Sequence, residues 1–289
     1  MKVQVQVINA FSIDGTGGNP AGVVFDADNL SASQKQEVAA KVGLPETAFV
    51  SASKIADFKL DFFTPIKQIP HCGHATIATF SFLKKKGGIK TDQSSKETID
   101  GTRSIYFKNE LAFMEQRSPV FNVPEKDQTE ILNSLGIQFS DLIPGMIPTI
   151  VNTGNSFLIV PVKDEAILSK VVYDKSAVTE ISEKYGLIGF YLFTFPPDKN
   201  IDATTRMFAP FYGIDEEAGT GMAAGPLASY LFYTSIHNKS NYIIEQGKYM
   251  QSPSTSRIYV NVETNGKQIS KLFAGGNSFV AREMFVEVL

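Results

Sequence analysis

Three short segments of the chain gather groups that could move a proton or hold an anion. Glu46, in Gly43-Leu44-Pro45-Glu46-Thr47-Ala48-Phe49-Val50, falls between a helix end and an apolar strand. A carboxylate at such an edge is partly desolvated and suited to general acid–base work. His71-Cys72-Gly73-His74 concentrates two of the chain's three histidines and its only cysteine where an apolar helical pattern begins. Gly219-Thr220-Gly221-Met222 opens a second apolar helical pattern. A helix that starts on glycine presents free N–H groups at its positive end, and small side chains let a ligand approach them. Such ends hold carboxylates or stabilise oxyanions.

Other chemistries fit these residues poorly. His71, Cys72 and His74 offer three metal donors, but adjacent ligands on one tight turn rarely fit a tetrahedral ion. The remaining histidine is His237, and there is no second cysteine. No metal is expected. Gly219-Thr220-Gly221-Met222-Ala223-Ala224-Gly225 imitates a dinucleotide fingerprint, but Asp215, Glu216 and Glu217 precede it and would repel a pyrophosphate. The nucleophile elbow of serine hydrolases, Gly-x-Ser-x-Gly, is missing.

The elements that must position these groups alternate along the chain. Val3, Val5 and Val7 share one face of a strand, Asn19-Pro20 is a turn signal, and residues 21–25 read as a short buried strand. Ser31 with Gln34 predicts a capping box, and Gly43 predicts that helix's end. Residues 47–51 are strand-like. Phe58, Leu60 and Phe62 alternate with Lys59 and Asp61, the pattern of a half-buried strand. Gly73 opens a helix to about Leu83, and Lys84-Lys85-Lys86 suits its C-terminal dipole. Two or three strands are expected between about Thr98 and Met114. The polar, proline-containing stretch from Gln116 to Gln128 reads as a boundary between two domains, 1–118 and 119–289, with the last strand free to return to the first. Beyond it come a strand pair within 147–161, a helix from Asp174 to Tyr185, strands at 189–195 and 202–208, a helix from Thr220 to Tyr233, and strands at 242–246, 257–262 and 277–288.

The second half echoes the first. Residues 73–83, from Gly73 to Leu83, can be laid on residues 221–231, from Gly221 to Leu231, with Gly, Ala, Ser and Leu recurring at the same offsets. Each segment follows an aromatic-X-Pro tripeptide, Phe63-Thr64-Pro65 and Phe208-Ala209-Pro210. Two homologous α/β halves, each with a glycine-led helix, are therefore expected.

Composition sets outer limits. The 289 residues are 43% hydrophobic and 20% charged, with 27 Lys plus Arg against 30 Asp plus Glu and a net charge of -3. That balance gives no field to hold a phosphate backbone, so nucleic acid is not an expected partner. No apolar run approaches the roughly 20 residues of a spanning helix, and residues 1–7 alternate like a strand rather than forming a signal peptide's apolar block. A lone cysteine rules out an intrachain disulfide, and a cytoplasmic location is expected.

These segments together resemble the phenazine-biosynthesis isomerase (PhzF-like) family. Gly18-Asn19-Pro20-Ala21-Gly22-Val23-Val24, Leu44-Pro45-Glu46-Thr47-Ala48-Phe49, Phe63-Thr64-Pro65, Cys72-Gly73-His74-Ala75-Thr76, Glu216-Glu217-Ala218-Gly219-Thr220-Gly221 and Gly275-Gly276 occur in the family's order. The resemblance implies the diaminopimelate-epimerase fold: two similar domains, each a sheet of mixed and antiparallel strands curled around a central helix, with the site in the cleft between them. It implies Glu46 as the acid–base residue, with His74 and Glu217 completing the catalytic group. Gly73, Thr220, Gly221, Met222, Cys72 and Asn19 are implied to bind substrate. The family's second-half motif reads Glu-Asp-Pro-Val-Thr-Gly-Ser, so Glu217 replaces an Asp with a side chain one methylene longer. Met222 replaces a Ser and cannot donate the hydroxyl's hydrogen bond. Related racemases on this fold use two opposed cysteines, which a chain with only Cys72 cannot supply.

The expected activity is a cofactor-free isomerisation that moves a proton within a small carboxylic acid, in a protein that could form a homodimer. An epimerase or racemase with Glu46 opposite Glu217, or a non-catalytic binder of small acids, is the alternative.

Overall fold

The computed structural model describes residues 1–234 and 239–289. His237 lies outside the described residues. The first half runs β1 (Lys2–Ala10), β2 (Asn19–Val24), α1 (Ala32–Val42), β3 (Thr47–Ser51), β4 (Phe58–Phe63), β5 (Gln68–Ile69), α2 (Gly73–Lys85), β6 (Gln93–Thr98), β7 (Gly101–Lys108) and β8 (Leu111–Gln116). The second runs β9 (Val120–Asn122), α3 (Gln128–Ser134), β10 (Thr149–Asn152), β11 (Ser156–Pro161), α4 (Glu165–Lys170), α5 (Lys175–Tyr185), β12 (Leu187–Thr194), β13 (Ala203–Phe208), α6 (Gly221–Tyr233), β14 (Asn241–Gln246), β15 (Ser256–Asn265), β16 (Gln268–Gly276) and β17 (Ser278–Glu287). Two compact units result, Met1–Glu115 with Gly275–Leu289, and Gln116–Ala274.

The units repeat one pairing pattern. In the first, β1 to β2 is antiparallel, β2 to β3 parallel, β3 to β4 antiparallel, β4 to β6 parallel and β6 to β7 antiparallel. In the second, β10, β11, β12, β13, β14 and β15 pair in the same alternation. In each, the glycine-led helix is the crossover between parallel strands, from β4 through α2 to β6 and from β13 through α6 to β14. The echoed tripeptides fall at the ends of β4 and β13, so the repeat read in the sequence is structural.

In the first unit β1 also pairs with β17, with a bulge at Val7/Ile8. Helix α2 packs on β1, β2, β3 and β17, and its residues from Gly73 to Ser81 are all buried. Its two threonine hydroxyls are satisfied by the backbone one turn earlier: Thr76 donates to the Cys72 carbonyl at 2.6 Å and Thr79 to the Ala75 carbonyl at 2.8 Å. Helix α1 lies on β3, β4 and β17, where Val3, Val5, Val38, Val42, Phe49 and Phe63 form a core. Its Ser31–Gln34 capping box has both reciprocal bonds, and Gly43 ends it in a left-handed conformation at φ 67°.

In the second unit α6 packs on β10, β11 and β15 and is buried from Ala223 to Phe232. A core of Ile131, Leu158, Val178, Ile181, Phe190 and Phe208 joins α3 and α5 to β11, β12 and β13. No helix among the described residues is long and apolar enough to cross a membrane.

Two local expectations change. Asn19-Pro20 is not a turn but the start of β2, with Pro20 opposite Asn9. Proline is tolerated because the β3 pairing begins only at Gly22, so Pro20 owes that side no N–H. β4 is not half-buried: Asp61 is buried too, 2.6 Å from the Lys35 ammonium of α1.

Candidate active site

Glu46 precedes β3 on a short segment held by its own backbone, its carbonyl accepting the Gly22 N–H at 3.0 Å. The absence of a side chain on Gly22 is required here, because a Cβ would stand 2.8 Å from Thr47 Oγ1. The Glu46 side chain is therefore delivered to a fixed place. Its Oε2 lies 3.3 Å from His74 Nε2, and both residues are buried.

His74 is the second residue of α2. Its other nitrogen, Nδ1, lies 3.6 Å from Cys72 Sγ. The imidazole thus stands between thiol and carboxylate, with a different nitrogen toward each. Burial pushes the Cys72 thiol pKa up, partly offset by His74, so the thiol is held in its neutral form. This order suits a Cys72 S–H directed at Nδ1, with Nε2 on the side of the Glu46 carboxylate. No side chain caps the start of α2 at Cys72, which leaves the positive helix end and the Gly73 amide to whatever binds beside Glu46.

Glu46, Cys72 and His74 also form a group of potential metal donors whose ligand atoms lie within 4.8 Å of one another. The placement of the ring argues against a shared ion. A ligating imidazole uses one nitrogen, whereas here Nε2 faces the carboxylate and Nδ1 faces the thiol.

In the second unit Glu217, Thr220, Gly221 and Met222 stand together before and at the start of α6. The Thr220 hydroxyl donates to Glu217 Oε2. Gln246, at the end of β14, holds the segment: its Nε2 donates to the Glu217 carbonyl at 2.7 Å and to Thr220 Oγ1 at 3.0 Å, and its Oε1 accepts the Thr220 N–H at 3.0 Å. Tyr191 donates to the same Oε1 at 3.0 Å. The acidic run before the helix divides its work. Asp215 pairs with Lys175 at the surface, and Glu216 makes a two-pronged pair with Arg206 at 2.8 and 2.9 Å. Met222 Sδ lies 3.4 Å from Asn155 Nδ2, in the β10–β11 turn.

Of the residues singled out in the sequence, Glu46, Cys72, Gly73 and His74 come together in the first unit. Glu217, Thr220, Gly221 and Met222 come together in the second. Asn19 is buried at the head of β2. Sequence reading missed Lys96, Gln246, Arg206 and Gln116, polar side chains that hold these segments from neighbouring strands.

The model of the family described as phenazine biosynthesis-like protein matches residues 8–283. The chain belongs to that family. It is 32% identical over 290 residues to the uncharacterized isomerase YddE of Escherichia coli K12, covering 97% of both chains. It is 31% identical to trans-2,3-dihydro-3-hydroxyanthranilate isomerase of Pseudomonas chlororaphis, covering 94% of each. A crystal structure of the PhzF-family phenazine biosynthesis protein of Bacillus anthracis superposes with a TM-score of 0.88 at 26% identity, over 100% of both chains. The fold is accordingly the diaminopimelate-epimerase-like one, and the chain is an isomerase-type enzyme acting on a small molecule.

Proposed function

We propose that this family member moves a proton within a small carboxylic acid, with Glu46 as the base that takes the proton and the acid that returns it. The Glu46 carboxylate accepts a proton from an activated carbon, and the C–H electron pair passes into an enolate. Protonated Glu46 then delivers the proton to a different carbon as the electrons return. No oxidant or cofactor is needed for this balance. His74 orients Glu46. The Gly73 and Gly221 amides receive carboxylate or enolate oxygen, with Asn19, Cys72, Thr220 and Met222 shaping the binding surface.

The observation that carries the reading is the buried 3.3 Å approach of Glu46 to His74 beside the uncapped start of α2. The second unit favours an isomerase over an epimerase with two opposed bases. Glu217 accepts the Thr220 hydroxyl, which suits a carboxylate that orients and balances charge. The test is a panel of small carboxylic acids incubated with the protein in deuterated water and read by NMR. Deuterium in a constitutional isomer is expected. Deuterium at an inverted stereocentre would instead support the epimerase, and binding without exchange would support a non-catalytic binder.

A further inference from the structure

Lys96 is fully buried on β6, an unusual place for a lysine. Its Nζ donates to Thr76 Oγ1 at 2.6 Å, lies 3.1 Å from His71 Nδ1, and stands 5.0 Å from the centre of the Phe62 ring. A hydroxyl, an imidazole and an aromatic face thus occupy the three directions an ammonium offers. Thr76 passes the contact on, donating its own hydroxyl to the Cys72 carbonyl at 2.6 Å. Both residues flanking the start of α2 on the outer side, His71 and Cys72, are therefore tied to one buried amine.

We propose that Lys96 is a positioning residue for the Glu46–His74 site, which rests on the proposed use of that site: by fixing Thr76 and His71 it fixes the Cys72 carbonyl and the first turn of α2, and so aims the Gly73 amide and the His74 ring. The second unit uses the same device with a different residue. Gln246, on the strand that follows α6, holds the backbone and hydroxyl of Thr220 just before Gly221. In both units the strand after the central helix sends a buried polar side chain back to the helix start.

The amine's proton state makes the link measurable. Burial lowers the Lys96 pKa to about 7, with Cys72 and Asp100 opposing that shift and Arg103 adding to it. His71 is lowered to about 3 by burial and by Lys96, so it stays neutral while Lys96 titrates. The full chain, carrying labelled lysine and histidine side chains and labelled amides, is titrated by NMR. The Lys96 side-chain signal, assigned by its loss in Lys96→Met, should show a midpoint near 7, and the Gly73 amide and His74 ring signals should follow it. In Thr76→Val the Lys96 midpoint should fall further, because the ammonium loses an acceptor, while the Gly73 response to its titration shrinks, because the link to the Cys72 carbonyl is cut. Proton exchange on the acid found in deuterated water should fall about a hundredfold in that variant, the loss a misplacement of about 1 Å causes. Lys96 titrating near its ordinary value, or Gly73 responding equally in wild type and Thr76→Val, would overturn the proposal. If Lys96→Met does not fold, the wild-type and Thr76→Val titrations still decide. Neither titration needs a substrate. Shifted signals without any exchange would sink the site's proposed use, and exchange with unresponsive signals would sink only the role of Lys96.

Discussion

His74 touches Glu46 through Nε2 at 3.3 Å and Cys72 through Nδ1 at 3.6 Å, so one ring bridges the chain's only cysteine and its best-placed carboxylate. The bridge separates two candidate bases that lie too close for position alone to choose between them. Proton affinity chooses. The thiol is held neutral by burial, whereas a carboxylate needs no activation to accept a proton. Replacing Glu46 by Gln keeps shape but removes the proton acceptor. Exchange should fall by about 10²–10⁴-fold, with far-ultraviolet circular dichroism and ligand affinity retained. Full exchange in Glu46→Gln would remove the residue from the chemistry.

Cys72→Ala is the matched control. The substitution removes a sulfur that packs as a small hydrophobe, and one thiol cannot supply two opposed bases. Exchange should stay within about threefold of wild type, since the lost contact is a weak S–H donor. A larger loss, accompanied by a basic limb in the pH profile that the variant lacks, would show that the thiolate acts.

Burial of Lys35 and Asp61 couples α1 to β4. Breaking a buried pair by removing one partner leaves the other charge uncompensated, at a cost of about 3–5 kcal/mol. Lys35→Met should show that loss in urea unfolding. The double variant Lys35→Met/Asp61→Leu should recover most of it, and an equal loss in both would mean that packing, not charge, is what Lys35 supplies.

Much of this architecture is legible in the residues. Ser31 and Gln34 spell a capping box, Gly43 a helix end, and the two glycine-led helices announce themselves by small residues and by their repeat. What escapes is whatever depends on partners distant in sequence. The alternation in β4 puts Asp61 on the wet face, and only α1, with Lys35 twenty-six positions earlier, turns that face inward. Lys96 and Gln246 occupy inward positions of alternating strands, but their polarity reads as outward until the helix starts they serve are seen. β16 escapes because its polar start and glycine end break the alternation, and the short α4 is only 6 residues, fewer than two turns.

Two depressed bases give the molecule a signed pH dependence. Lys96 has its pKa lowered from 10.5 to about 7, and His71 from 6.5 to about 3. In each window the unfolded chain binds more protons than the folded one, so unfolding free energy rises with pH. The Lys96 contribution is a penalty fully present below about 7 that is relieved as pH climbs toward 10.5. The His71 contribution appears as pH falls below 6.5 and grows toward about 3. Guanidinium midpoints should show Lys96→Met flattening the alkaline rise and His71→Gln flattening the acid fall. Unchanged slopes would mean that neither group is desolvated in solution as it is here.

Gly225, inside α6, tests how the start of that helix is held. A Cβ at this position would stand 2.1 Å from Gln116 Oε1 and 2.7 Å from its Cδ. Gln116 donates to the Gly221 carbonyl at 2.9 Å and accepts the Thr153 hydroxyl at 2.7 Å, so it ties the first turn of α6 to the segment before β11. By helix propensity alone, Gly225→Ala should stabilise the protein by about 1 kcal/mol. The close approach reverses the sign. The amide end of Gln116 can swing aside, but only by giving up both part-buried bonds, each worth about 0.5–1.5 kcal/mol. Gly225→Ala should therefore destabilise by up to about 2 kcal/mol net, two lost bonds against one propensity gain. In a Gln116→Ala background the obstacle is gone, and the same substitution should become neutral or stabilising, a non-additivity that a double-mutant cycle reads directly. Additive behaviour, with Gly225→Ala stabilising in both backgrounds, would show that Gln116 does not hold the helix start.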